Sequence, residues 1–157
     1  MNITLENMHT FPRAEKAMEL HKAGYNCAQA VFLAFTDLFH MDADLAAHLS
    51  GPFGGGVGGQ REVCGAVSGM TMALGMLYGY SDPADKNAKI ALYERVQKCS
   101  AAFCAVADSL VCRELLGLDK NAPQPAPGER PKPGKIPCRT LVGLAAAVLE
   151  QHMSETE

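Results

Sequence analysis

The stretch FGGGVGGQREVCGAVSGMTMALGMLY, residues 53–78, passes from a run with five glycines into an apolar segment that ends in tyrosine. From about Gln60 its apolar residues follow a helical period, and Gly65, Gly69 and Ala73 recur at every fourth position. Three nearly bare positions therefore share one face, where a neighbouring helix can approach closely. Gly65, Ser68, Gly69, Thr71, Gly75 and Gly79 make the run too polar and too broken for a membrane span. It reads as a helix buried among other helices.

The flanking sequence agrees. From Pro12, Ala17 and Leu20 alternate with Arg13, Glu15, Lys16, Glu19 and Lys22, an amphipathic helix closed by Gly24 at its C′ position. NCAQAVFLAFTDLF follows at once, with Asn26 as N-cap and Gln29 three residues later as a capping box. Its stripe is Ala30, Val31, Ala34, Phe35 and Leu38. A short helix is predicted near residues 42–49. Asp82 and Pro83 then open a long helix of some thirty residues that Gly117 stops, with Tyr93, Val96, Phe103, Val106, Leu110 and Val111 on its buried side. NAPQPAPGERPKPGKIP, with six prolines in seventeen residues, reads as an extended surface loop. Pro137 then opens a last helix as its first residue, with Cys138 beside it. No alternating strand pattern occurs, so the expected fold is an all-α bundle of five to six helices in a single domain spanning residues 1–157, with a Gly-rich and a Pro-rich loop.

The chain has 157 residues, enough for one core, with 48% hydrophobic residues, 20% charged residues and a net charge of −3. Without a basic block, nucleic acid is not an expected partner, nor is insertion into a membrane. The N-terminus lacks the basic and apolar regions of a signal peptide, so the expected compartment is the cytoplasm. The sequence leaves room for a homodimer.

Six cysteines, at 27, 64, 99, 104, 112 and 138, carry the chemistry. A reducing compartment gives them no role as structural disulfides, and the absence of C-x-x-C and C-x-x-C-H argues against a thioredoxin motif, a zinc ribbon and covalent haem. On the helical reading Cys27, Cys64 and Cys138 lie at helix starts and Cys112 in the last turn of the long helix. Helix starts stabilise a thiolate through free N–H groups and the helix dipole. Cys99 and Cys104 sit five apart, about 140° around a helix, and read as packing residues. Cys64 is the expected reactive thiol, since Gly54, Gly55, Gly56, Gly58 and Gly59 free the backbone to bring N–H groups to a sulfur, an anion or a cofactor. Arg61 and Glu62 stand close enough in sequence to tune it. The glycine run lacks the G-x-x-x-x-G-K-[ST] pattern and follows no strand, which excludes a mononucleotide loop. His9, His21, His40, His48 and His152 have no ligand spacing and read as surface residues.

The order Cys27, CGAVSG at 64–69, Cys112 in CRELLG and Cys138 resembles the C_GCAxxG_C_C redox-active protein family, defined by a C…CGAxxG…C…C pattern. The resemblance runs from GYNCAQAV through the last helix. It implies that Cys27, Cys64, Cys112 and Cys138 are the functional positions and that Cys99 and Cys104 are not. The domain is also similar to the cysteine domain of split-Soret cytochromes c, which implies an iron–sulfur cluster without the haem. Two chemistries follow. Either the cysteines cycle between dithiol and disulfide with an unidentified redox partner, or all four hold a cluster or another thiolate-bound metal. A third reading is a helical interaction module with structural cysteines. Spacings of 37, 48 and 26 residues do not resemble a compact cluster motif.

Overall fold

The computed structural model describes residues 2–119, 121, 126–129 and 132–156. Its helices are α1 (Pro12–Lys22), α2 (Cys27–Leu33), α3 (Ala43–Ser50), α4 (Gly65–Tyr78), α5 (Lys86–Ala107), α6 (Cys112–Leu115) and α7 (Cys138–Glu155). Among the described residues the only β pairing is one antiparallel bridge, Val63 to Val111. The fold is all-α.

The core lies around α7, where Leu141, Val142, Leu144, Val148 and Leu149 and the alanines between them are all buried, so that α1, α2, α4 and α5 can pack around it. A helix apolar on every side belongs at the centre of a bundle. The small face of α4 packs on α2. A Cβ at Gly69 would come within 2.5 Å of the Ala28 carbonyl oxygen, and one at Gly65 within 3.1 Å of Cys27 Cβ.

Local signals set the ends of α1 and α2. Gly24 takes φ +116°, its N–H bonds the His21 carbonyl and Tyr25 N–H bonds the Leu20 carbonyl, a Schellman ending. Asn26 and Gln29 form the capping box. The apolar stripe stops short of expectation, because α2 ends at Leu33 and Leu38 is exposed. Arg13 is the cause: its Nη1 bonds the Ala34 carbonyl at 2.7 Å and the guanidinium grips both Asp37 oxygens at 2.8 and 3.0 Å, which favours a 3₁₀ turn over Thr36–Leu38.

Three further boundaries differ from the sequence reading, and each matters to function. First, α4 starts at Gly65, not near Gln60. Residues 55–59 all have positive φ and make a left-handed turn, Arg61 also has φ +61°, and Val63 is extended against Val111. Second, the long helix begins at Lys86, because Asp85 caps Ala88 while Asp82 spends its carboxylate on Ala84 N–H. It ends at Ala107, where Asp108 takes φ +72° and bonds its N–H to Cys104, a left-handed cap that aspartate tolerates without glycine. Tyr93 is half exposed, while Cys99, Phe103 and Ala107 are the buried positions. Third, Pro137 is the N-cap of α7 and Cys138 takes its first helical position.

Of the Pro-rich segment, residues 122–125, 130 and 131 lie outside the described residues, and its described part carries no helix or strand.

Candidate thiol site

Each of the four motif cysteines stands at a helix start. Cys27 is the first residue of α2, held by the Asn26 capping box, and Asn26 is fixed in turn by a bond from its Nδ2 to the Gly51 carbonyl. Gly54 stands so close to Asn26 that a Cβ there would lie 2.5 Å from Asn26 Cγ. Cys64 is the N-cap of α4. Cys112 opens α6 rather than closing the long helix, because the chain turns at Asp108 and runs antiparallel to residues 62–64. Cys64 N–H bonds the Leu110 carbonyl at 2.8 Å and Cys112 N–H bonds the Glu62 carbonyl at 2.6 Å, which sets these two cysteines side by side. Cys138 opens the long, buried α7.

The four thiols line one cavity of about 940 Å³, together with Gly54, Gly55, Gly56, Gly58 and Gly59. Cys99 and Cys104 do not reach it. All six cysteines are free thiols.

The thiols are not equivalent. The neighbouring Cys138 thiol, reinforced by burial, holds the Cys27 pKa well above the ordinary range. Cys27 is in turn the main reason that Cys138 falls to about 7; the Arg61 guanidinium and the backbone at the helix start add to it, and burial opposes. Cys64 goes the other way. It is 5% exposed, and burial pushes its thiol up to about 12 although the backbone at Val67 and Ala66 favours the thiolate. Helix-start stabilisation is present there, but desolvation is the larger effect. The expectation that its helix start gives Cys64 a lowered pKa is not met, and Cys138 is the thiol whose pKa falls. Burial also raises Cys112, against a contact from Arg61 Nη1 at 3.9 Å, and raises Cys99 to about 11.

Two neighbours of the cysteines matter more than the sequence reading allowed. Arg61 is a buried residue, 7% exposed, whereas Glu62 is exposed. A Cβ at Gly56 would meet Arg61 Cα at 2.7 Å, so the left-handed glycine turn makes room for the arginine backbone, and Arg61 N–H bonds the Gly55 carbonyl at 3.0 Å. His21 is not a plain surface residue: the Schellman turn folds the end of α1 against α2 and brings its Nε2 to 3.9 Å from Cys27 Sγ. Its place six residues before Cys27, next to a glycine stop, is the signal in the sequence. His152 is also buried, but away from the cavity, with Nε2 3.0 Å from Arg95 Nη1 and its ring edge-on to Tyr78.

Cys27 and Cys138, each opening a helix onto the cavity, are the two thiols that shift each other. A single tetrahedral ion does not fit as well, because among the described residues no three His, Cys, Asp or Glu side chains converge to hold a metal. Also among the described residues, no helix is long and apolar enough to cross a membrane.

No curated protein and no solved structure matches this chain. The model of the family described as "Putative redox-active protein (C_GCAxxG_C_C)" matches residues 25–152, which include all four cysteines of the cavity and CGAVSG at 64–69, and the chain belongs to that family.

Proposed function

We propose that this protein is a dithiol redox protein in which Cys138 is the attacking thiolate and Cys27 the resolving thiol. What supports this reading is that Cys27 and Cys138 each open a helix onto the same cavity and shift each other's pKa in opposite directions. A nucleophile near pKa 7 is about half ionised at neutral pH, close to the optimum for exchange. Its protonated neighbour keeps the proton until Cys138 has reacted, then attacks in turn. Joining the Cys138 thiolate to Cys27 passes two electrons to the redox partner and releases one proton, that of Cys27. Cys64 and Cys112 support the pair in this reading, and the cytoplasm is the compartment that keeps it reduced.

A second reading is a bridged iron–sulfur cluster on Cys27, Cys64, Cys112 and Cys138, supported by four thiols opening on one cavity. One experiment separates the two. Full-length protein purified without oxygen is assayed for iron, sulfide and visible absorption, then oxidised with one equivalent of diamide and mapped for disulfides by mass spectrometry. The dithiol reading expects metal-free protein and a dominant Cys27–Cys138 disulfide. Stoichiometric iron and sulfide with visible absorption would move the function to the cluster, and neither result would overturn both.

A further inference from the structure

Arg61 is the charged group that the dithiol cycle leaves unbalanced. Its side chain lines the cavity and is more than nine-tenths buried, and among the described residues it has no carboxylate partner and no acceptor for its Nε. Its contact with Cys112, Nη1 to Sγ at 3.9 Å, is long. The residue also holds φ +61°, a strained conformation for a non-glycine residue, kept in place by the Gly55 carbonyl and by the missing side chain of Gly56. A buried guanidinium needs a counter-charge. The Cys138 thiolate supplies one only while the pair is reduced; once Cys27 and Cys138 are joined, no carboxylate among the described residues is ion-paired with Arg61 to replace it, although Glu129 lines the same cavity. A cavity of about 940 Å³ holds a small organic molecule rather than a folded protein.

We propose that the cavity takes a low-molecular-weight disulfide bearing a carboxylate, with the carboxylate paired to Arg61 and one sulfur presented to Cys138. This rests on the dithiol reading above and names its substrate class. The Cys138 thiolate attacks the near sulfur, the substrate S–S bond breaks, and one half leaves as a thiolate. Cys27 then loses its proton and attacks Cys138, forming the Cys27–Cys138 bond and releasing the second half as a thiolate. The substrate gains the two electrons that the dithiol loses. The planar donor face of an arginine suits a carboxylate, and Arg61 remains charged throughout.

The test uses reduced full-length protein, without oxygen, and two reagents of the same skeleton: dithiodiglycolate and its neutral diamide. Rates of Cys27–Cys138 disulfide formation are taken as a ratio, charged over neutral, and divided by the same ratio for dithiothreitol in solution. The expected normalised ratio is about tenfold or more in favour of the carboxylate. In Arg61→Gln it falls to about one, and Arg61→Lys recovers part of it. A ratio of one or less in the unaltered protein overturns the proposal whether or not the variants fold, and so does a high ratio that survives Arg61→Gln. If neither reagent joins Cys27 to Cys138, the dithiol reading itself falls and this proposal with it.

Discussion

Replacing Cys27 with Ala removes the largest single cause of the low Cys138 pKa, and its size can be worked out. With a pKa of about 7, Cys138 is about 9% thiolate at pH 6, whereas an ordinary thiol near 8.5 is about 0.3% ionised, a ratio of about 30. A less basic thiolate is also a weaker nucleophile: a Brønsted slope of about 0.45 over about 1.5 units costs about fivefold. The net advantage that Cys138 loses is thus at most about sixfold at pH 6, the remainder being held by Arg61 and the start of α7. The assay is iodoacetamide labelling across pH, read at each cysteine by mass spectrometry. In the unaltered protein Cys138 should label first, with a midpoint near pH 7 and a tenfold loss for each unit below it. Cys64, raised to about 12, should lag far behind. Cys27→Ala should move the Cys138 midpoint upward and leave Cys99 unchanged. The reasoning fails if Cys64 labels before Cys138, or if the Cys138 midpoint stays put in Cys27→Ala.

Gly69→Ala should destabilise the protein by about 1–3 kcal/mol, a Tm drop of about 3–9 °C, because the new Cβ would sit 2.5 Å from the Ala28 carbonyl and 3.0 Å from Val31 Cβ. Gly75→Ala in the same helix meets nothing within 4 Å and should be neutral or raise Tm slightly, so a thermal melt of both variants separates close packing from helix propensity. Asp37, held down to about 2 chiefly by its bond from Arg13, adds stability that is fully present above about pH 4 and is lost as pH falls through about 2. The pair is half exposed, so the gap between the unaltered protein and Asp37→Asn should be about 0.5 kcal/mol at neutral pH and should vanish near pH 2 in chemical denaturation.

What the sequence determined by itself is everything governed by neighbours a few residues apart. The Schellman glycine at 24, the Asn26–Gln29 box and the fourfold spacing of Gly65, Gly69 and Ala73 are local rules, and they placed α1, the start of α2 and the close-packing face of α4, though not its partner. The family resemblance set Cys27, Cys64, Cys112 and Cys138 apart from Cys99 and Cys104, and only the first four reach the cavity. Tertiary structure decided the rest. The break at Asp108 carries no glycine, and it is fixed by the pairing of Val111 with Val63, a contact across dozens of residues. The same pairing turned Cys112 from the end of one helix into the start of another. Thiol reactivity was the least legible property, since a helix start near Cys64 and one at Cys138 look alike in sequence. Desolvation by the packed core raises one, and the neighbouring Cys27, far away along the chain, lowers the other. Burial and cross-chain partners are large effects on charge, and no local pattern records them.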